Sequence, residues 1–497
     1  MERVIVVGAG SAGSAAAARL AEAGRYVHVI EAGPSDRHPL VRAPMGLVRL
    51  MGSGRDWRRR TVPQEGLGGR DVAVPRGRMI GGSGSMNSMV WFRGAPSDFD
   101  GWGVPGWSWR DVAPAFDEIE ARVQPRRIAS PHPLAEAFGA AMGANDTAAP
   151  ADPARDGAAV VHCNLHDGAR RSAADAFLRP AMAAGRVTAE TGGEVDRVLI
   201  ERGRAVGVRL RSGREIAGEV VLAAGAIETP MVLMRSGIGP GAMLRAARIE
   251  VLVDAPGVGA NLHDHPAVGL HHAGPGSGYG LSLAQLPAWA AAPFAWALAG
   301  RGPFASPTVE ACAFLTLPSG ARIQSHFIPF MLGWRGRSVT WGEGYFADAT
   351  LCHPRSRGAV RMGRDPHLPL IDPALLSDER DLGDLVEGLE AVRALLARAP
   401  FGPRRAPERH PGPQATGAAL RSHVRASCGT AYHPVGTCAL GGPVDPSGAV
   451  RGVAGLHVAD ASLMPSLTTA NTNAPSMMLG WRVGGMIAAR ASERTAA

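Results

Sequence analysis

The first thirty residues carry a strand and helix pattern of hydrophobic positions. Residues 4–7 form an unbroken apolar run, which is typical of a strand buried on both faces. An alanine-rich stretch then continues to Ala23 and stops at Gly24, as a helix would. A second apolar run covers residues 27–30. The pattern predicts a strand, a helix and a second strand that pack as one unit.

Farther along the chain, the pattern changes to shorter elements of mixed type. Residues 194–198 and 205–209 alternate in polarity and predict a hairpin. Strands of a mostly antiparallel sheet are predicted at residues 304–316, 321–330 and 358–362. Residues 378–398 are apolar at helical spacing and predict a helix whose buried stripe holds Leu382, Leu385, Val386, Leu389, Val392 and Leu395.

A glycine-rich turn connects the first strand to the first helix, and it indicates nucleotide binding. The glycines stand in the spacing Gly8, Gly10 and Gly13, and the second strand ends at Glu31. Gly8 permits a tight turn, Gly10 lets backbone N–H groups approach a pyrophosphate, and Gly13 allows close packing of helix and strand. Glu31 is placed to accept hydrogen bonds from ribose hydroxyls. The turn alone does not separate FAD from NAD.

Composition narrows the chemistry. The chain has 497 residues, of which 45% are hydrophobic and 19% charged, so a folded protein of two or more domains is expected. All 52 basic residues are arginine, which excludes a Walker A loop, a Schiff-base lysine and pyridoxal-phosphate catalysis. The net charge of +8 is modest for this length, and no nucleic-acid partner is expected.

Cysteines and apolar segments bear on metals and membranes. The five cysteines are scattered without a CxxC pair, so we expect neither a disulfide framework nor a metal site. Residues 286–299 are apolar but contain prolines and fall short of the ~20 residues of a membrane span, so they predict a core or lid helix. The chain leads straight from Met1 into the first strand, which predicts no signal peptide and a cytoplasmic location.

Four further motifs point to one family. In chain order they are PRGRMIGGSGSMNS with WFRG (75–94), GAIETP with RSGIGP (225–240), VGANLHDHP (258–266), and YHPVGTC, GLHVADAS and NTNAP (432–475). Together with the glycine turn, they resemble the glucose–methanol–choline (GMC) oxidoreductases, which are FAD enzymes. The resemblance runs from residue 4 to about residue 488 and is loose in the middle of the chain.

The resemblance implies an α/β fold with two domains. A discontinuous Rossmann-like FAD-binding domain would comprise residues 1–95, 185–265 and 430–497. A substrate-binding domain of α+β type, with a mostly antiparallel sheet, would comprise residues 96–184 and 266–429. FAD would contact Gly8, Gly10, Ser11, Ala12, Gly13, Glu31, Ala32, Arg78, Gly81, Gly82, Asn87, Met89, Val90, Val195, Ala224, Gly225, Asp460, Ala461, Asn471, Thr472 and Asn473.

The resemblance also implies oxidation of a primary alcohol to an aldehyde, with hydride transfer to flavin N5. His433 matches the family's active-site histidine and is expected to be the base. Asn471 matches the second catalytic position, which makes this a His/Asn type, although Asn473 stands close enough in sequence to exchange roles with it. Asp264 and His265 are expected to hold structure. Glu310 lies where some relatives place an acid in the substrate pocket.

Departures from the family pattern refine these expectations. Met86 stands where some choline oxidases attach FAD through a histidine, so the FAD is expected to be noncovalent. This favours a dehydrogenase that uses a quinone or a redox carrier, although an oxidase that uses O₂ stays open. Cys352 lies where related fatty-acid photodecarboxylases carry a functional cysteine. A non-oxidising flavoprotein of the same fold, such as a lyase or photodecarboxylase, is therefore the alternative.

Overall fold

The computed structural model describes residues 3–143, 149–331 and 341–496. Helices and strands are numbered separately in chain order. The α-helices are α1 (Ser11–Glu22), α2 (Pro39–Arg42), α3 (Leu47–Leu50), α4 (Pro96–Asp100), α5 (Trp109–Val123), α6 (Pro133–Ala140), α7 (Arg179–Ala183), α8 (Gly225–Arg235), α9 (Gly241–Ala246), α10 (Leu286–Ala299), α11 (Glu379–Ala397), α12 (Gly417–Ser427) and α13 (Asn473–Ala496).

A five-stranded parallel sheet forms from distant parts of the chain. Its strands, in spatial order, are β10 (Val187–Thr191), β2 (Val27–Glu31), β1 (Val4–Val7), β14 (Glu219–Leu222) and β27 (Leu456–Val458). Every residue of β1 is buried, as its unbroken apolar run predicts. The predicted strand–helix–strand unit is β1, α1 and β2. Because parallel strands all end at one edge, their carboxyl ends place several loops together.

An antiparallel sheet is the second large element. Its main path is β25 (Glu408–His410), β18 (Pro266–Ala273), β22 (Gly342–Leu351), β21 (Arg322–Ile328), β20 (Ala311–Thr316) and β6 (Gly157–Val160), and β19 (Gly280–Leu281) and β26 (Gly429–Thr430) pair alongside. The strand predicted from residue 304 begins only at Ala311. Pro307 has no N–H to donate and Thr308 has a positive φ of 72°, so pairing starts only after them, with the backbone of Glu310 bonded to Phe327 and Val161.

Shorter strands complete the described structure. The predicted hairpin is present as β11 (Val195–Glu201) and β12 (Arg204–Leu210), which continue into β13 (Glu215–Ala217). The other strands are β3 (Arg59–Arg60), β4 (Ala73–Val74), β5 (Arg126–Arg127), β7 (His162–Cys163), β8 (Leu165–His166), β9 (Ala169–Arg170), β15 (Ile238–Gly239), β16 (Val253–Asp254), β17 (Ala260–Leu262), β23 (Gly358–Met362) and β24 (Pro369–Asp372). The predicted mixed α/β class with a mostly antiparallel second sheet is confirmed.

Two helices cover the sheets through close contacts. In α13, a Cβ added to Gly480 would lie 2.1 Å from the carbonyl oxygen of Ala12, so glycine is what lets α13 pack against α1. On the antiparallel sheet, α11 buries five of the six residues of its predicted stripe and leaves Val386 partly exposed. The division into two discontinuous domains stays a prediction.

The apolar segment 286–299 forms α10, but it is not a core helix. Within α10 only Ala292 is buried, and Phe294 and Leu298 are 70% and 86% exposed. Of the two alternatives predicted for this segment, the core helix is therefore wrong and the lid helix stays a prediction. An apolar composition predicted burial, but it did not identify a neighbour to cover the helix. Within the described ranges, no helix is both long and apolar enough to cross a membrane.

Candidate active site

One cavity of about 450 Å³ is lined by residues of both large sheets. It collects nearly all of the site residues expected from the sequence. The predicted residues on its wall are Gly8, Gly10, Ser11, Ala12, Glu31, Ala32, Gly82, Asn87, Met89, Val90, Val195, Ala224, Gly225, His433, Asp460, Ala461, Asn471, Thr472 and Asn473. Residues from eight separate stretches of chain thus meet at one place.

The glycine turn after β1 leaves the start of α1 open to the cavity. Gly8 has a φ of +102°, and a Cβ there would lie 2.5 Å from the carbonyl oxygen of Ala223. Gly10 is the N-cap of α1, and no side chain caps the helix there. The first-turn N–H groups of α1 therefore point toward the cavity without a side-chain partner, which is the arrangement that binds phosphate oxygens.

Glu31 fixes the same turn from the end of β2. Its Oε2 accepts from the N–H of Ala9 at 3.0 Å, and its Oε1 accepts from the N–H of Gly33 at 2.8 Å. Burial raises the pKa of Glu31 to about 7, against the two backbone donors and Arg78, which lower it. The carboxyl group is thus held at the cavity wall next to the turn, where a ribose would lie in a bound dinucleotide.

A second glycine loop touches the first. Gly82 begins a short 3-10 turn, Gly82–Ser85, with a φ of +54°. A Cβ on Gly82 would lie 2.8 Å from the Cα of Gly10, so the two loops can meet only through glycine. After this turn, Asn87 accepts from the N–H of Met89 at 3.0 Å and from Arg170 at 2.7 Å.

Two polar side chains complete this half of the cavity. Asn473, the first residue of α13, accepts from the hydroxyl of Ser11 at 2.7 Å, and this bond ties the starts of α13 and α1 together. Its Nδ2 is buried and has no hydrogen-bond partner among the described residues. At the end of β27, Asp460 accepts from the N–H of Gly225 at 2.8 Å and from Thr229 at 2.6 Å.

Three residues predicted to contact the cofactor lie outside the cavity lining. A Cβ on Gly13 would lie 2.0 Å from the carbonyl oxygen of Gly8, so Gly13 serves helix packing. Gly81 donates its N–H to the carbonyl of Ala9 at 2.8 Å and supports the second loop. Arg78 stacks over Trp57, 5.0 Å from the ring centroid, outside the main cavity.

The other end of the cavity is built around His433. The N–H of His433 donates to Asp264 at 2.7 Å, and the His433 and His265 Nδ1 atoms lie 2.9 Å apart. The Nδ2 of Asn471 lies 3.2 Å from Nε2 of His433. Asp264 and His265, expected only to hold structure, therefore hold His433 itself.

These contacts assign the protons on the His433 ring. Gln324 donates its Nε2 to Oδ1 of Asn471 at 3.2 Å, which turns the Asn471 amide nitrogen toward His433. The Nε2 of His433 must then accept, so its proton sits on Nδ1 and is donated to His265. Nε2 is thus unprotonated, and its lone pair accepts from the Asn471 amide at the wall of the cavity.

Burial keeps both rings neutral. It lowers the pKa of His433 well below its ordinary value, and the nearby His265, His326 and Arg76 lower it further. Burial likewise lowers the pKa of His265 to about 3. A neutral imidazole can accept a proton, so this ring has the protonation state that a general base requires.

Sequence reasoning missed a second polar pair on the cavity wall. His326 in β21 and Asp348 in β22 both line the cavity, and Nδ1 of His326 lies 3.0 Å from Oδ2 of Asp348. The signal was present in part. Gln324 and His326 stand two residues apart in one strand, so both face one side of the sheet.

Glu310 and Cys352, two residues that the sequence singled out for possible roles in the chemistry, lie outside the cavity lining. Glu310 is 1% exposed and does not line the cavity, and its carboxylate accepts from Ser306 at 2.6 Å and from the N–H of His132 at 2.5 Å. Cys352 is fully buried outside the cavity lining, and burial raises its pKa to about 12. The Cys352 environment fits a small packed thiol, so nothing in the structure favours the photodecarboxylase alternative.

Comparison with known proteins now decides the family. Family profiles described as GMC oxidoreductase match residues 2–267 and 354–480 of this chain. The chain belongs to the GMC oxidoreductase family. It is an FAD-dependent oxidoreductase that acts on CH–OH donors, as the sequence motifs predicted.

Individual relatives agree over nearly the whole length. The chain is 34% identical to an oxygen-dependent choline dehydrogenase of Brucella ovis, over 98% of this chain and 95% of that protein. It is 35% identical to a protein of the same name from Rhizobium rhizogenes, over 96% and 93%. The crystal structure of pyridoxine 4-oxidase from Mesorbium loti matches with a TM-score of 0.84 at 29% identity, covering 99% of each chain.

The cavity of this GMC oxidoreductase fits FAD. The two glycine loops leave a cradle that a Cβ at Gly8 or Gly82 would disturb, and uncapped N–H groups face it. The buried Nδ2 of Asn473 has no protein partner among the described residues and is available to a ligand. Within those residues, no group of three or more histidine, cysteine and carboxylate side chains could hold a metal ion.

Proposed function

We propose that this flavoprotein oxidises a primary alcohol to an aldehyde and that His433 takes the hydroxyl proton. The observation that carries the proposal is the neutral His433 ring, whose Nε2 lone pair lies at the cavity wall beside Asn471. A base must be unprotonated before it accepts a proton, and burial keeps this ring in that state. Asn471 cannot act as a base, so its amide holds the substrate oxygen.

FAD supplies the hydride acceptor, the flavin N5 atom, when it is bound in the cavity. The N–H groups at the start of α1 would hold the pyrophosphate, Glu31 the ribose and the backbone of Val195 the adenine. Asp460 would lie by the ribityl chain, and Ala461 by the flavin ring. The FAD is noncovalent, because Met86, 4% exposed on the cavity wall, offers no group that could bond to the flavin.

His265 and Asp264 set the direction in which the base works. His265 accepts the Nδ1 proton of His433, so Nε2 is the unprotonated nitrogen, and it receives the hydroxyl proton of the alcohol once the alcohol takes the place of the Asn471 amide. When Nε2 becomes protonated, the ring carries a positive charge in a buried place. Asp264 accepts from the backbone N–H of His433 at 2.7 Å, so its carboxyl group lies close to that charge.

The electron acceptor completes the cycle, and we favour a quinone or a protein redox carrier over O₂. The support is the noncovalent FAD expected from Met86. Admitting air to the anaerobically reduced enzyme distinguishes the two classes. A dehydrogenase recovers its oxidised spectrum slowly in air and quickly with a quinone, whereas an oxidase recovers quickly in air.

The reaction itself is tested by mixing the purified protein anaerobically with a panel of primary alcohols and following the flavin absorbance. We expect one class of alcohol to bleach the flavin. His433→Gln should slow that bleaching by about 10²–10⁴-fold, the usual contribution of a general base. His166→Gln, which changes a histidine outside the cavity lining, is the matched control and should bleach at the normal rate. Equal rates for both variants would remove His433 as the base.

A further inference from the structure

The chain next to Asn471 is held in an unfavourable backbone conformation. Ala470, directly before Asn471, has a φ of +94°, in the left-handed region that residues with a Cβ rarely adopt. Such a conformation costs free energy, and it persists only where the surrounding structure enforces it. The contacts that hold Ala470 therefore decide where the Asn471 side chain lies.

One buried carboxylate holds the residue before Ala470. Oδ2 of Asp98 accepts from the backbone N–H of Thr469 at 2.6 Å, and Oδ1 accepts from the Thr469 hydroxyl at 2.9 Å. Asp98 and Thr469 are 6% and 2% exposed, so water does not compete for these bonds. Because the two bonds fix both the backbone and the side chain of Thr469, they also fix the direction in which the chain enters Ala470.

Asp98 is itself fixed by parts of the chain outside residues 469–471. It lies in the first turn of α4, where its Oδ2 also accepts from the N–H of Ala95 at 2.7 Å. On the other side, Nε2 of His353 lies 3.0 Å from Oδ1 of Asp98 and 3.2 Å from the Thr469 hydroxyl. A Cβ on Gly94 would lie 3.0 Å from Oδ2 of Asp98, so the turn before α4 packs closely against the carboxylate. The carboxylate is therefore in place before it receives Thr469.

The chain after Asn471 is fixed as well. Asn473, the first residue of α13, accepts from the hydroxyl of Ser11 at 2.7 Å. Asn471 thus lies midway between two anchored residues, Thr469 and Asn473, each two positions away. Because the far side is tied to α1, a change of φ at Ala470 would have to move Asn471 itself.

The contacts of the Asn471 side chain leave little room for such a movement. Its Oδ1 accepts from Gln324 at 3.2 Å, and its Nδ2 lies 3.2 Å from Nε2 of His433. Both distances stand at the upper end of the ordinary range for hydrogen bonds. A small displacement of the backbone would therefore break the contact between the amide and the base.

We propose that Asp98 is a positioning residue for the reaction. By anchoring Thr469, it keeps Ala470 in the left-handed conformation that carries the Asn471 amide to His433. Asp98 lies outside the cavity lining, so it acts through Asn471 and not on the substrate or the cofactor. The inference rests on the proposed function, in which the Asn471 amide holds the substrate oxygen.

Anaerobic flavin reduction measures the effect of the anchor on the reaction. Asp98→Ala should slow reduction by about 10- to 100-fold, the range expected when a reacting group is misplaced. Thr469→Val removes only one of the two bonds and should slow reduction less, whereas Thr469→Ser keeps the hydroxyl and should stay near the wild-type rate. FAD content and the visible spectrum show whether each variant has folded, and Thr469→Val replaces Asp98→Ala in every measurement if the latter does not fold.

Asp111→Ala is the matched control for loss of a helix-start carboxylate. Asp111 accepts from the N–H of Ser108 at 3.0 Å in the first turn of α5, just as Asp98 accepts from Ala95 in α4, and it lies outside the cavity lining. Asp111→Ala should therefore lose stability and keep the wild-type rate of reduction. A rate loss as large as that of Asp98→Ala would count against positioning.

A double variant shows whether Asp98 acts through Asn471. If it does, adding Asp98→Ala to Asn471→Ala should change the rate of flavin reduction by less than about twofold, although the same substitution slows the wild type about 10-fold or more. A carboxylate that served only general stability would slow both backgrounds equally. Equal slowing would overturn the proposal.

Ala470→Gly tests the strain without any turnover. In the wild type, glycine relieves the unfavourable φ that Asp98 enforces. In Asp98→Ala the backbone is free to relax, so glycine has less strain to relieve. Thermal unfolding at saturating FAD should show a larger gain in Tm from Ala470→Gly in the wild type than in Asp98→Ala, and an equal gain in both would contradict the anchoring role.

Crystal structures separate this inference from the proposed reaction. The FAD-bound wild type and Asp98→Ala are compared at Ala470 and Asn471. In the variant, we expect Ala470 to leave the positive φ region and Nδ2 of Asn471 to lie more than about 3.5 Å from Nε2 of His433. If no alcohol bleaches the flavin but Asn471 moves in the variant, only the reaction fails. If alcohols bleach the flavin and Asn471 keeps its place in the variant, only this inference fails.

Discussion

Replacing Gly10 with alanine should remove FAD while leaving the fold intact. Gly10 has a φ of −71° and a ψ of −169°, a conformation that alanine adopts without strain. A Cβ there would have its nearest neighbour, the Cα of Gly82, at 3.9 Å, which is ordinary contact. Gly10 nevertheless lines the cavity at the uncapped start of α1. The added methyl group would therefore stand where the pyrophosphate approaches.

The effects of Gly10→Ala on stability and on FAD affinity can both be sized from the structure. At a compatible site, glycine to alanine changes the free energy of unfolding by about 1 kcal/mol or less, in the stabilising direction. A methyl group that displaces the pyrophosphate from two N–H donors costs about 3–6 kcal/mol, at about 1.5–3 kcal/mol for each charged hydrogen bond. The Kd for FAD should then rise by about 10²–10⁴-fold.

The assay compares Gly10→Ala with Gly13→Ala. A Cβ on Gly13 would lie 2.0 Å from the carbonyl oxygen of Gly8 yet outside the cavity lining, so this control should lose stability. Thermal unfolding of the FAD-free proteins measures stability, and FAD titration followed by flavin fluorescence measures Kd. Gly10→Ala protein that keeps normal FAD affinity, or that loses as much stability as Gly13→Ala, would refute the reasoning.

Three more predictions follow from the site. Cys352→Ser should change kcat less than about twofold, since the thiol lies outside the cavity lining, and a steady-state assay checks this. In the pH profile of kcat/KM, activity on the acid side should be lost only below pH ~6.5, because burial lowers the pKa of His433 and its neutral form persists to lower pH. A loss of activity with its midpoint above pH seven would contradict this prediction. Asp264→Asn should lower kcat about 10-fold or more with little change in FAD content, because it weakens the support of the protonated ring; unchanged kcat would count against it.

The residues around the glycine turn could be predicted from the sequence because their signals are local. Gly8, Gly10 and Glu31 stand within one strand–turn–helix–strand unit, and each has a fixed role in that unit. The three cofactor residues that lie behind the wall show the limit of this reasoning. A motif tells which residues the loop needs, but it does not tell which of them face the ligand and which, like Gly13, support the loop.

Around His433, the sequence predicted only those residues that lie within a family motif. His433 and Asn471 were named from the motif, but the role of His265 in orienting the ring depends on a contact across 168 residues of chain. The His326–Asp348 pair depends on the register of two antiparallel strands, which the sequence pattern does not fix. Glu310 lies off the cavity wall for a similar reason, since Ser306 and His132, distant or unrecognised in the sequence pattern, each donate to one of its carboxylate oxygens.

Anaerobic stopped-flow reduction of the flavin in wild type and His433→Gln is the most direct test of the central claim. It is measured with an alcohol that the wild type oxidises, across a range of pH. We expect the wild-type rate to hold down to below pH ~6.5 and the variant to be slower by about 10²–10⁴-fold, with normal FAD content. A His433→Gln variant that reduces its flavin at the wild-type rate and with the same pH profile would contradict the account.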